Sequence, residues 1–145
     1  MRCRTKIKAT VLLVLWGTLG MTPVLAEKVT TPDTIPGTKK VVAEDIFELV
    51  EKVPDLLIID ARISMDRKQG YIEGSVSLPD LETDCRALAR IIAGKHSPIL
   101  FYCNGVKCGR SVKSCRTALK CGYNNIYWFR GGFEEWKQKG FPYIK

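Results

Sequence analysis

Cys103 and Cys108 are the residues of this chain best placed for covalent chemistry. They lie in the stretch PILFYCNGVKCGRSVKSCR, between an apolar run, Ile99-Leu100-Phe101-Tyr102, and a helical pattern that opens at Arg110-Ser111. Asn104, Gly105, Val106, Lys107 and Gly109 complete a glycine-bearing loop between them. Only the thiolate of a cysteine is nucleophilic. A strand end, a loop whose backbone N–H groups can converge on an anion, and a helix N-terminus with its partial positive charge all favour S⁻ over SH. Cys103 is therefore expected to be a nucleophile, with the N–H groups of residues 104–109 as its cradle. Lys107 has two readings, a source of positive potential beside the cradle or simply a solvated loop lysine. Cys108 has three readings: a spectator, a second thiol in a relay, or a disulfide partner that switches Cys103 off.

The elements that must position this loop follow from the hydrophobic pattern. Residues 43–52 carry apolar side chains at helical spacing, with acidic residues at the start. Leu56-Leu57-Ile58-Ile59 and Ile99-Leu100-Phe101-Tyr102 are continuous apolar runs, as expected of parallel strands covered on both faces. Val76 to Leu78 reads as a short strand, residues 81–93 as a helix, 110–121 as a helix stopped by Gly122, 125–129 as a last strand and 133–139 as a last helix. A short strand at Val41-Val42 and a turn or two of helix over 64–69 complete the pattern. Alternating strands and helices indicate an α/β fold with a small, mainly parallel sheet flanked by helices on both faces. Sites in such sheets gather at the carboxyl ends of strands, where Asp60, Arg62 and Cys103 all fall. Asp60 and Arg62 are read as support for neighbouring loops before any direct role. Trp128, Phe133 and Trp136 read as core, and His96 as a surface residue.

The first 26 residues resemble an export signal: Arg2, Arg4, Lys6 and Lys8, then an apolar stretch, then Val24-Leu25-Ala26 with small residues at −3 and −1. Cleavage after Ala26 is expected, leaving no stable membrane span, a flexible leader over 27–40 and one domain over 41–145. Loss of the four n-region cations lowers the formal charge from +8 to +4. Without basic runs or interleaved aromatics, nucleic acid is not an expected partner. With a single His96 and no CxxC pair, a metal site is not expected, and no organic cofactor is called for. Cys85, Cys115 and Cys121 fall on apolar helical stripes and read as packing, without a disulfide framework.

Five segments resemble the rhodanese-like domain family, over residues 41–144. They are Asp60-Ala61-Arg62; Gly70-Tyr71-Ile72-Glu73-Gly74-Ser75, with Tyr71 where the family usually has His; Phe101-Tyr102-Cys103; Arg110-Ser111; and Phe129-Arg130-Gly131-Gly132-Phe133-x-x-Trp136 followed by Gly140-Phe141-Pro142. The resemblance implies a rhodanese-like fold and sulfurtransferase chemistry. A cysteine takes sulfane sulfur from a small anionic donor such as thiosulfate, holds it as a persulfide on Cys103, and passes it to a thiol, a cyanide-like acceptor or a protein. Arg110 would bind the donor's negative group. The Cys-x6-Arg spacing from Cys103 to Arg110 departs from the family's usual Cys-x4-Arg. It keeps open a phosphatase or arsenate reductase of the same fold, and a separate alternative is a catalytically quiet binding or sulfur-carrier module. With a signal peptide, the expected location is exported, in the periplasm.

Overall fold

The computed structural model describes residues 31–145; the expected signal segment lies outside them. Five strands, β1 (Thr38–Val41), β2 (Leu57–Asp60), β3 (Val76–Ser77), β4 (Ile99–Tyr102) and β5 (Ile126–Phe129), form one sheet in the order β1-β5-β4-β2-β3, parallel throughout. Between and after them run α1 (Ala43–Lys52), α2 (Ser64–Arg67), α3 (Cys85–Ile91), α4 (Arg110–Lys120) and α5 (Gly132–Gln138). Among the described residues no helix is long and apolar enough to cross a membrane.

β4 is central and every residue of it is buried, which is why its sequence is apolar without alternation. Its side chains nevertheless divide by the two-residue period of a strand. Ile99 and Phe101 join Ile59, Ile126 and Trp128 on one face, under Leu88 of α3 and Val112, Cys115 and Ala118 of α4. Leu100 and Tyr102 join Val41, Ile58 and Phe129 on the other, under Ile46 of α1 and Phe133 and Trp136 of α5. This sandwich holds the end of β4 and the start of α4 in fixed relation.

Three expectations are corrected. Residues 35–40 belong to the domain, not to a flexible leader: Ile35 is 3 % exposed in the core, and Thr38–Val41 pairs residue for residue with Ile126–Phe129. An edge strand with Lys39 and Lys40 facing out needs little apolar character, so composition alone does not mark it. The helix expected over 81–93 is shorter, because Asp84 caps it: its side chain accepts from the Ala87 N–H at 2.7 Å. Leu81, the first residue of the expected helix, is 78 % exposed in the preceding turn. Cys85 and Cys121 are not packing thiols but form a disulfide between the start of α3 and the residue after α4, with Cα atoms 5.4 Å apart. They lie 36 positions apart, and only the packing of α3 on α4 brings them together. Cys115 is the packing residue it was read to be, buried in the core, and burial pushes its thiol pKa up. His96 is exposed, with Nδ1 facing Asn124 Oδ1 at 3.0 Å.

Candidate active site

The cysteine loop begins where β4 ends. Cys103 is 1 % exposed. Its backbone is held from below by the segment after β5: the Phe133 N–H donates to the Cys103 carbonyl at 2.9 Å and the Glu134 N–H to the Asn104 carbonyl at 2.7 Å. Gly132 makes this approach possible. It has φ +60°, and a Cβ there would sit on the Cys103 carbonyl oxygen and 2.8 Å from the Asn104 carbonyl carbon. A glycine is needed both for the backbone conformation and for the space.

The loop then turns back on itself, with the Cys108 N–H donating to the Gly105 carbonyl at 2.9 Å. The turn sets the two thiols side by side. The Cys103 Sγ lies 3.1 Å from the Cys108 carbonyl, to which it donates, and within hydrogen-bonding reach of the Cys108 sulfur. On its other side it meets Ser111 Oγ at 3.1 Å. Trp128 Nε1 donates to that same Ser111 Oγ at 3.0 Å, so the serine's own hydrogen is free for the Cys103 sulfur. Trp128, read as core, is core with one polar errand.

The cradle differs from expectation in which sulfur it serves. The N–H groups of Asn104 and Arg110 are directed at Cys108, and Cys103 receives the Ser111 N–H. Arg110 and Ser111 open α4, whose N-cap Gly109 offers no side-chain acceptor. Their N–H groups are among the four a helix start leaves without intrahelical partners, and the two sulfurs take them up. The consequence is an unequal pair. Hydrogen bonding with Cys103 lowers the Cys108 pKa below the ordinary thiol value, against a smaller burial penalty and with help from the Arg110 and Asn104 N–H groups. Hydrogen bonding to Cys108, then burial, pushes the Cys103 pKa up.

Cys108 also lines the open cleft, a space of about 390 Å³ shared with Asn104, Lys107, Gly109, Arg110 and Glu134. Gly105 packs against the Glu134 side chain, and Val106 is exposed. Arg110 is not a free cation. Its Nη1 donates to Asp66 Oδ2 at 2.9 Å and its Nε lies 3.6 Å from Asp80 Oδ1, while Lys113 reaches Asp80 Oδ2 at 3.2 Å. Asp66 also accepts from Asn104 Nδ2 at 3.0 Å, tying α2 to the loop. The Nη2 nitrogen is the part of Arg110 left to meet an anion. Asp66, Asp80 and Glu134 were not singled out in the sequence; Ser111 was named only within the Arg110-Ser111 segment, without a role. Thr31 Oγ1 donates to the Val106 carbonyl, and Arg130 Nε to the Pro32 carbonyl at 2.9 Å, so the segment before β1 lies against the loop.

Asp60 and Arg62 do not reach the cleft beside Cys108. Arg62 forks onto Asp60, Nε to Oδ1 at 2.8 Å and Nη2 to Oδ2 at 2.6 Å, and also donates to the Gly70 carbonyl at 2.9 Å. Arg67 Nη1 and Tyr102 Oη each donate to Asp60 Oδ2 at 2.9 Å, and the Arg62 guanidinium lies 4.3 Å from the centre of the Phe133 ring. Burial opposes the Arg62 charge, yet the Asp60 carboxylate outweighs it and the pKa is raised. Burial also pushes the Tyr102 hydroxyl up to about 12, with Asp60 adding to it. The pair is a buried clamp joining β2, β4 and the 64–75 segment.

A family described as "Rhodanese-like domain" matches residues 43–139. A rhodanese domain-containing protein of Drosophila melanogaster is 32 % identical over 108 residues, covering 64 % of this chain and 95 % of the relative. A sulfurtransferase of Allochromatium vinosum is 26 % identical over 102 residues, covering 70 % and 91 %. The solution structure of a polysulfide-sulfur transferase homodimer from Wolinella succinogenes has the same fold, with a TM-score of 0.61 at 22 % identity over 74 % of this chain and 79 % of that one.

Proposed function

Because the chain belongs to the rhodanese-like domain family, whose matched relatives include a sulfurtransferase, we propose that it moves sulfane sulfur from a small anionic donor such as thiosulfate to a thiol or cyanide-like acceptor through a persulfide in the cysteine loop. The observation that carries this reading is the Cys103–Cys108 pair at the end of β4, under the first N–H groups of α4 and beside a cleft lined by Lys107 and Arg110. The chemistry needs a thiolate, a site for the donor's anionic group and room for a leaving sulfite. A lowered thiol pKa, the Arg110 Nη2 nitrogen and the cleft supply them. The resemblance implies Cys103 as the persulfide carrier, while Cys108, which lines the cleft, is the thiol whose pKa is lowered. Arg62 and Asp60 hold the frame. The reading includes export through residues 1–26 to an oxidising compartment such as the periplasm, where the Cys85–Cys121 disulfide would persist.

The test is a single turnover. Reduced protein mixed with thiosulfate should release one sulfite per chain, and with cyanide present should yield thiocyanate. A Cys103→Ser/Cys108→Ser double variant should do neither. Wild-type protein that releases no sulfite under these conditions would overturn the reading.

A further inference from the structure

The two thiols of the loop differ in what they can reach. Cys108 lines the cleft, whereas Cys103 is 1 % exposed and does not. A donor coming from solvent therefore meets the Cys108 sulfur first, with the Asn104 and Arg110 N–H groups already directed at it. Cys103 lies immediately behind, its sulfur 3.1 Å from the Cys108 carbonyl and within reach of the Cys108 sulfur. The turn closed by the Cys108 N–H and the Gly105 carbonyl brings the Cys108 backbone back against the Cys103 sulfur.

We propose that the loop is a dithiol centre in which Cys108 receives the sulfane sulfur and Cys103 resolves the resulting persulfide, releasing sulfide and closing a Cys103–Cys108 disulfide. It rests on the sulfurtransferase reading above and adds a reductive activity to it. In the first step the Cys108 thiolate attacks the outer sulfur of thiosulfate. A new S–S bond forms, the donor's S–S bond breaks, and sulfite leaves with the electron pair. In the second step the Cys103 sulfur attacks the Cys108 Sγ. The bond from Cys108 to the outer sulfur breaks, and that sulfur leaves as HS⁻ with the proton Cys103 gives up. The two thiol groups lose two electrons, and the sulfane sulfur gains them. Further cycles need an external dithiol reductant to reopen the disulfide; the first does not. An acceptor that captures the persulfide before the second step diverts the sulfur to transfer.

Ser111 is placed to serve the second step. Its oxygen accepts from Trp128 Nε1, so its hydrogen can be given to the Cys103 sulfur as that sulfur loses its proton. Exchange depends on the attacking thiol, the leaving group and which sulfur is attacked. Holding Cys103 behind Cys108 directs it at Sγ rather than at the outer sulfur in the cleft.

The experiment uses the reduced full-length domain, freed of reductant, with thiosulfate and no acceptor in the absence of air. Sulfite and sulfide are measured together with peptide mass mapping, which separates a 103–108 cross-link from the Cys85–Cys121 bond. Wild type should release sulfite, then sulfide, and lose two hydrogens across the loop. Cys103→Ser, or Cys103→Ala should the serine disturb the buried site, should release sulfite, no sulfide, and keep one added sulfur on Cys108. Cys108→Ser should release sulfite at least about ten-fold more slowly, since the cleft-facing thiolate is gone. Two results would overturn the inference while leaving sulfur transfer intact: a stable wild-type persulfide without sulfide, or a Cys108→Ser protein that loads Cys103 at the wild-type rate. Absence of sulfite from every form would overturn both.

Discussion

Ser111 is buried between a tryptophan N–H and the Cys103 sulfur, and it makes the two steps of the proposed cycle separable. Ser111→Ala removes the hydrogen offered to Cys103 but leaves Cys108 and its N–H donors in place. Sulfide release should slow several-fold more than sulfite release in rapid-quench measurements; equal slowing of both would reduce the serine to packing. Tyr102 is a second residue whose chemistry is set by its surroundings. Its hydroxyl donates to Asp60 and contacts Ser75 Oγ at 3.0 Å, so the fold favours the neutral phenol. A group held protonated in the native state contributes stability below its unfolded pKa and loses it as pH rises towards the folded one. Urea unfolding should therefore show wild type losing its advantage over Tyr102→Phe between pH 10 and about 12. Asp60→Ala has a different cause and a larger cost. It strands the Arg62 charge at 1 % exposure, and breaking one side of a buried pair costs about 3–5 kcal/mol. Calorimetry should show that loss at neutral pH.

At the scale of elements, the site is a junction of three. β4 delivers Cys103, α4 supplies the N–H groups of Arg110 and Ser111, and the first turn of α5 supports the loop through the Cys103 and Asn104 carbonyls. Gly132 is the contact on which that support depends. Gly132→Ala combines a positive φ with a Cβ that overlaps the loop backbone, and strain of this kind costs on the order of 1–3 kcal/mol even before the clash. The variant should fold with a lower urea midpoint and release sulfite much more slowly than wild type. An unchanged rate would show that the turn does not set the loop's shape. α2 acts on the loop from the opposite side, because Asp66 holds both Asn104 and Arg110.

At the scale of the molecule, the disulfide between Cys85 and Cys121 fastens the α3 layer to the end of α4, and α4 begins at the active loop. Closing a loop of 36 positions restricts the unfolded chain by about 4 kcal/mol in the loop-entropy model. The Cys85→Ser/Cys121→Ser variant should melt well below wild type and show no such difference from it once wild type is fully reduced. The loop chemistry uses neither residue, so single-turnover sulfite release at low temperature should survive the change. The segment ahead of β1 adds a second fastening: Arg130 holds the Pro32 carbonyl and pairs with Asp33 at 3.2 Å, and Thr31 reaches the Val106 carbonyl.

The sequence alone determined the alternation of strands and helices, the parallel sheet and the strand-end position of Cys103. Each follows from a pattern that repeats within a few residues: continuous apolar runs for strands buried on both faces, helical spacing for helices, a glycine-bearing loop between the two. Tertiary structure decided what depends on groups meeting across the chain. It paired Cys85 with Cys121, drew Thr38–Val41 into the sheet edge, and committed Arg110 to Asp66 and Asp80. It also turned the N–H groups of Asn104 and Arg110 towards Cys108 rather than Cys103. That last choice has no local signature, because a loop of given composition can direct its N–H groups inward or outward. Its direction is set by the Gly105–Cys108 turn, the start of α4 and the backbone of Gly132 beneath it.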